Sequence, residues 1–359
     1  MDISIIASGK SAHAPRWARA LAARGLEVSF VTLHNVTANF PSSIEVLELS
    51  SSAPLGYLTG SVQLQTYLNR RNPDLVHSHY ATGYGTLGAL VRHPRKIVSI
   101  YGSDIFDFPH KSPVHKWYLK KVLASYDVRL STSEVMADET ISTYPVLKRP
   151  LVTPFGVDLD KFYPGGRFQS ERNEQITVGI VKKIADKYGI DILLRAFAKA
   201  KTMVPGSIDL RLKIGGDGEG RQRYETLSEK LGLRAAHVFD GFIDHEKVPD
   251  YLRDIDIFVA PSRYDSESFG VAAVEAQAVG CAVVVSNVGG LPEVVANGTT
   301  GTVVEKESVQ ETAEAICLYA SDPKLRRQHG QAAVEHVREY YSWEASVDRM
   351  LSIYRDALN

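Results

Sequence analysis

Along this chain, short runs of β-branched and other apolar residues alternate with stretches whose apolar positions recur every three to four residues. That alternation predicts parallel strands joined by helices that cover both faces of a sheet. In the first part of the chain the runs fall at 3–7, 28–33, 75–78, 96–101 and 128–132. The first intervening helix has Pro15 in its opening turn and stops at Gly25, the usual asymmetry of a helix start and stop. A second set of runs, at 176–181, 209–214, 237–239, 257–260, 282–286 and 301–304, predicts a second doubly wound sheet. From residue 321 the pattern is helical to the end, and Trp343, Val347, Met350, Leu351 and Tyr354 form one apolar face that needs a surface to pack on.

Between the two sets lies the only good linker candidate, Pro154-Phe155-Gly156-Val157-Asp158 and Phe162-Tyr163-Pro164-Gly165-Gly166, followed by a polar stretch over 167–175. The expected organisation is a Rossmann-like domain over 1–165, a second over 166–340, and a terminal helix over 341–359 that crosses back to the first. The length of 359 residues agrees, because single cores stop growing at roughly 250–300 residues. A single α/β barrel fits the length alone but neither the linker nor the clustering of phosphate-type loops in one half.

Composition narrows the class. With 44% apolar and 23% charged residues spread evenly, the chain is neither disordered, collagen-like nor coiled-coil. No apolar run approaches the ~18–20 residues of a membrane span, and the start lacks a charged leader region, so a cytoplasmic location is expected. Cys281 and Cys317 lie in no metal or redox motif and read as packing residues. The net charge of −1 divides into +4 before residue 165 and −5 after it, and seven of the eleven histidines precede residue 116. A chain this near neutral is not expected to bind nucleic acid.

Three apparent motifs fail on spacing or place. Gly9-Lys10-Ser11 lacks the glycine five positions upstream that a phosphate-binding P-loop needs, because Ser4 stands there. The 216–220 loop has Arg221 where a dinucleotide fingerprint needs glycine. Asp254-Ile255-Asp256 precedes its strand, whereas ligands of open α/β sheets bind beyond the carboxyl ends.

The strongest constellation runs from Pro261 to Ala276. Glu267 lies in a loop, Gly270 and Val271 open a helix whose free amides favour an anion, and Glu275 follows on that helix. A carboxylate there can accept two hydrogen bonds from adjacent hydroxyls, as on a ribose. A capping glutamate and a solvated helix glutamate are the alternative. Lys182 and Lys187 fall in a strand-to-helix loop at another carboxyl edge, where ammonium groups neutralise a diphosphate. Gly215-Gly216-Asp217-Gly218 lets a ligand approach backbone, and Gly289-Gly290-Leu291-Pro292 reads either as part of the same edge or as a plain turn.

Taken in order, Pro-x-Gly-Val-Asp with Phe-x-Pro (154–164), Lys-Tyr-Gly-Ile-Asp (187–191), Gly-Gly-Asp-Gly (215–218), Glu-Ser-Phe-Gly with the second Glu at 275, and Gly-Gly-Leu-Pro-Glu (289–293) resemble glycosyltransferase family 4. These are retaining enzymes of the GT-B fold, with two Rossmann-like domains facing a cleft. The segment Ser11 to Ala18 resembles a branch active in bacterial surface-glycan assembly.

The resemblance implies a nucleotide-sugar donor, UDP ahead of GDP, a glycan, lipid-linked or small-molecule acceptor, and no metal or other cofactor. It implies that Glu275 binds the donor ribose, and that Glu267 and the 269–271 backbone (Phe269, Gly270, Val271) hold the sugar and phosphates. Lys187 matches the family's phosphate lysine, and Lys182 stands where many members have arginine. Gly216 belongs to the donor loop. Ser99-Ile100-Tyr101-Gly102-Ser103-Asp104 matches a His-Gly-x-Asp segment, so Tyr101 stands in for a histidine that touches the donor sugar, and Phe155 stands where asparagine is frequent. A nucleotide-sugar epimerase of the same fold and a noncatalytic nucleotide-sugar binder are the alternatives.

In the first domain, His13, Arg16, His79 and Asp104 are the acceptor-binding candidates. His77 and His79 share one face of a strand, where a general base or acceptor contact and a packed histidine are both open. The stretch 110–123 mixes Lys111, Lys116, Lys120 and Lys121 with Trp117, Tyr118 and Leu119. It reads either as an ordinary helix with a cationic outer face or as a peripheral contact with anionic lipid at the inner face of the cell membrane.

Overall fold

A computed structural model describes residues 1–11, 13–169, 175–233 and 238–359. The chain divides into two compact units, Met1–Pro154 with Ala345–Asn359, and Phe155–Glu344.

In the first unit the elements are β1 (Asp2–Ile6), α1 (Ala14–Ala23), β2 (Glu27–Thr32), β3 (Ile44–Glu48), α2 (Gly56–Thr59), α3 (Ser61–Arg71), β4 (Leu75–His79), α4 (Tyr84–Leu90), β5 (Lys96–Ser99), α5 (Ser103–Phe106), α6 (Pro113–Ala124), β6 (Val128–Ser131), α7 (Glu134–Thr143) and β7 (Leu151–Val152). Their seven strands form one parallel sheet in the order β3-β2-β1-β4-β5-β6-β7. Every residue of β4 and β5 is buried, as a sheet covered on both faces requires. The sequence pattern missed β3 and β7. Both are edge strands: β3 buries only Ile44, and β7 has two residues.

The second unit contains β8 (Gln175–Val181), α8 (Ile190–Met203), β9 (Asp209–Gly215), α9 (Arg221–Lys230), β10 (Phe239–Gly241), α10 (Val248–Arg253), β11 (Ile257–Ala260), α11 (Val271–Ala278), β12 (Ala282–Ser286), α12 (Leu291–Val294), β13 (Gly301–Val304), α13 (Val309–Ser321) and α14 (Pro323–Tyr340). Its six strands are parallel in the order β10-β9-β8-β11-β12-β13. Of the run expected at 237–239, His237 lies outside the described residues. In this sheet the strand order reverses between β8 and β11, and in the first sheet between β1 and β4, the switch points at which such sheets bind ligands.

The division falls at 154/155 and not near 165. Phe155, Val157 and Phe162 are buried, and Val157 pairs with Ser342 while exchanging hydrogen bonds with Tyr341 and Trp343. The Pro/Gly-rich segment is therefore packed structure within the second unit. Proline and glycine mark its turns, not a break in its contacts. Helix α15 (Trp343–Leu358) re-enters the first unit at Ala345, not at 341. It buries Val347, Met350, Leu351 and Tyr354. Polar ties fix it: Arg24 pairs with Asp348, the Tyr354 hydroxyl meets His77 Nδ1 at 2.6 Å, and Arg95 donates to the Leu358 carbonyl at 3.1 Å.

Candidate functional site

In the second unit, the loops beyond the carboxyl ends of the strands lock together through their backbones. The Lys182 amide donates to the Gly215 carbonyl at 2.9 Å, and the Gly216 amide to the Gly241 carbonyl at 2.6 Å. Gly216 has φ of +136°, and a Cβ there would lie 1.9 Å from the Lys182 carbonyl oxygen. The Gly289-Gly290 pair lies under the acidic loop, where a Cβ at either position would meet the Glu267 or Ser268 carbonyl oxygen at 2.3 or 2.2 Å. The Gly290 amide donates to the Glu267 carbonyl at 3.0 Å, and the Gly289 amide to Asp265 Oδ1 at 3.0 Å. At these positions the missing side chains make room for neighbouring loops.

The Arg263 amide donates to the Lys187 carbonyl at 2.8 Å and joins the lysine loop to the acidic loop, so Lys182, Lys187, Glu267 and Glu275 stand at one sheet edge. Lys182 Nζ lies 3.0 Å from both Glu267 carboxylate oxygens. Burial lowers the Lys182 pKa, but the Glu267 carboxylate, with lesser contributions from its other neighbours, outweighs it and the net shift is upward, so the ammonium persists. Lys187 Nζ lies 3.4 Å from the Ser266 carbonyl and from its hydroxyl. The Tyr188 ring lies near both lysines, 4.7 Å from Lys182 Nζ and 5.1 Å from Lys187 Nζ. That is cation–π range for both.

Gly270 caps the start of α11 in a left-handed conformation, so the positive helix end at Val271 begins four residues after Glu267. The Phe269 ring is not at the edge: it packs edge-on against Phe155 and Tyr341, leaving only its backbone for a ligand. Glu275 is buried on α11, with His245 Nε2 3.4 Å from its Oε1. Asp256 of the D-x-D pair accepts the Thr177 amide at 2.9 Å and faces Arg167 at 3.7 Å, a structural role at the amino end of β11.

Sequence reasoning missed Tyr188, His245 and Arg263. Tyr188 lay inside a quoted motif, but its place near two lysines depends on their fold into one loop. Arg263 ties the edge together by pairing with Asp191 at 2.6 Å and with Glu307 at 3.0 Å. His245 has no motif, and only its place after β10 could have marked it.

In the first unit, His79 ends β4 beside the β1/β4 switch point, and Tyr101 follows the neighbouring strand β5. His79 Nδ1 and the Tyr101 hydroxyl are hydrogen-bonded, and no described residue partners the buried His79 Nε2. Burial, with His13 nearby, pushes the His79 pKa down to about 3. Burial also raises the Tyr101 phenol, so both groups are neutral near pH 7. His77 is a packed histidine, satisfied by Tyr354 and by Ser99 Oγ at 2.8 Å. His13 caps α1 with its ring 6.4 Å from that of Tyr101, and Arg16 lies half-buried in the first turn of α1. Asp104 is fully buried and accepts the amides of Ala81, Tyr101 and Gly102 at 2.9–3.0 Å. It clamps the 101–104 turn, so its expected acceptor contact gives way to a structural role.

The basic stretch forms α6, which buries Leu119, Val122 and Leu123. Val114 and Trp117 are 70% and 60% exposed beside exposed Lys116, Lys120 and Lys121. Among the described residues no helix is long and apolar enough to cross a membrane, and no group of three or more His, Cys, Asp or Glu is placed to hold a metal ion.

Comparison with known proteins gives a consistent picture. Residues 166–336 match the family described as glycosyl transferases group 1, and residues 2–133 the family described as glycosyl transferase 4-like. The D-inositol 3-phosphate glycosyltransferase of Kribbella flavida is 30% identical over 308 residues, which cover 79% of this chain and 71% of that protein. Its counterpart from Actinosynnema mirum is 28% identical, with 98% of this chain and 93% of that protein covered. Among solved structures, sucrose-phosphate synthase from Thermosynechococcus elongatus superposes with a TM-score of 0.81 at 22% identity, covering 99% of this chain and 98% of that one. Anabaena Alr3699/HepE in complex with UDP-glucose gives 0.78 at 18% identity, covering 99% of each chain.

The neutral His79 has a consequence for stability. Its folded pKa lies below the unfolded value of about 6.5, so between the two the unfolded chain binds the extra proton and stability falls as pH falls. At pH 5.5 this amounts to about 1 kcal/mol relative to pH 7.5. The thermal midpoint is expected to drop between pH 7.5 and 5.5, and His79→Gln to narrow that drop. A drop of equal size in the variant contradicts a neutral buried His79.

Proposed function

The chain belongs to the glycosyltransferase family matched by the group 1 and 4-like descriptions and has the GT-B fold, and from that premise we propose that it moves a hexose from UDP-sugar to a hydroxyl acceptor with retention of configuration. The observation that carries this reading is the joint placement of Lys182, Lys187, Glu267, Glu275 and the α11 start at one sheet edge. The charge that develops on the leaving diphosphate meets two ammonium groups and a helix N-terminus already in place, which avoids reorganisation at the moment of reaction. Glu275 accepts the ribose hydroxyls. Glu267, held by Lys182, accepts hydroxyls of the transferred sugar.

In this scheme the bond from the sugar's anomeric carbon to the phosphate oxygen breaks, and UDP leaves with the electron pair. The acceptor oxygen forms its bond on the same face, and its proton passes to a phosphate oxygen of the leaving UDP. No metal takes part. UDP is preferred over GDP because HepE is described in complex with UDP and with UDP-glucose. The names of the inositol-phosphate relatives favour a phosphorylated polyol among the acceptors, beside a glycan or a lipid-linked sugar. His13, Arg16 and His79 are the proposed acceptor contacts, with Tyr101 toward the donor sugar. The exposed Trp117 and lysines of α6 are the proposed contact with anionic lipid at the inner face of the cell membrane.

Thermal-shift screening with UDP-, GDP- and ADP-sugars identifies the donor, since a ligand of the native state raises the midpoint. With that donor and an acceptor, Glu275→Gln and Lys187→Ala are each expected to cut turnover by about 10²-fold with the fold intact, and EDTA to leave the rate unchanged. Unchanged rates in the variants contradict the site, and a rate lost to EDTA and restored by Mn²⁺ contradicts the metal-free scheme. Turnover of donor without acceptor indicates an epimerase, and binding without any turnover a noncatalytic binder. Sedimentation with anionic vesicles is expected to weaken as salt rises; salt-independent or absent binding removes the lipid contact.

A further inference from the structure

We propose that His245 is a positioning residue of the ribose subsite, holding the Glu275 carboxylate in the orientation that receives the ribose diol. The inference rests on the reading of Glu275 as the ribose ligand. His245 Nε2 lies 3.4 Å from Glu275 Oε1, and the Glu275 side chain is only 11% exposed. A carboxylate so enclosed has few directions open to a ligand. The group that meets one of its oxygens therefore decides how the other is presented.

The place of His245 is set by structure around it. It opens the short turn that follows β10, where the Lys247 amide closes onto the Asp244 carbonyl at 2.8 Å. Its ring meets that of Phe162 edge-on at 6.0 Å, and Phe162 itself is buried. The turn leaves the same carboxyl edge as the lysine loop, because the Gly216 amide binds the Gly241 carbonyl at the end of β10. Glu275 also lies in the field of the Lys182 ammonium. His245 and Lys182 thus act on one carboxylate, the first by contact at a single oxygen and the second through its charge.

Stability does not account for the pair. The His245 side chain is 69% exposed, and ion pairs with one exposed partner add little to folding. What the contact changes is the rotamer freedom of Glu275, which matters when two adjacent hydroxyls must be met together.

The test is calorimetric titration of the full chain with UDP and with 2′-deoxy-UDP, for the wild type, His245→Ala and His245→Gln. The wild type is expected to favour UDP. In His245→Ala, UDP binding is expected to weaken by about tenfold while 2′-deoxy-UDP binding changes little, so discrimination collapses. His245→Gln keeps an N–H at similar reach and is expected to restore UDP binding to within about threefold of wild type. Neither variant should move the thermal midpoint appreciably. Equal weakening of both nucleotides in His245→Ala, or unchanged UDP binding, overturns the proposal while leaving the Glu275 reading in place. A wild type that does not distinguish the two nucleotides overturns both.

Discussion

The carboxyl edge of the second sheet depends on backbone lying directly against backbone. Lys182 and Glu267 come from loops about 85 residues apart, which the Arg263 amide joins by donating to the Lys187 carbonyl. The 216 loop lies on the lysine loop, and the 289–290 turn lies under the acidic loop, each at distances that exclude any Cβ. These contacts also satisfy loop amides and carbonyls that would otherwise be buried without partners, which makes the arrangement rigid as well as close.

The electrostatics follow from that geometry. Removing an ammonium and a carboxylate from water costs about as much as their attraction returns, so the Lys182–Glu267 pair adds little to stability. In the proposed reaction its value is preorganisation: the ammonium groups stand in place before a dianion arrives, each within cation–π range of the Tyr188 ring. In the first unit the opposite choice is made. The His79–Tyr101 pair is neutral, so it suits hydroxyl groups better than phosphates.

Much of this was legible in the sequence. Strand runs buried on both faces announced the two parallel sheets, because burial leaves a continuous apolar signature. The paired glutamates and the two lysines announced the edge, because few contexts place such groups at strand ends. The edge strands β3 and β7 were not legible, since half-exposed or two-residue strands have no such signature. The Pro/Gly segment at 154–166 looked like a linker because its burial by Phe155, Val157 and Phe162 is a tertiary fact. The glycine loops were legible, but the loops that lie against them were not, because those contacts are tertiary. Asp104 looked like a ligand residue and is a turn clamp, and His245 was invisible because its partner lies 30 residues away on another element.

Under the proposed function, segments 182–189 and 265–275, the second running from a loop into α11, form one preassembled receiver for a nucleoside diphosphate. Hydrogen–deuterium exchange with and without saturating UDP tests it most directly. The account predicts added protection concentrated in both segments at once, with the core strands β8 and β11 unchanged. UDP that binds measurably yet protects neither segment, or only one of them, would contradict it.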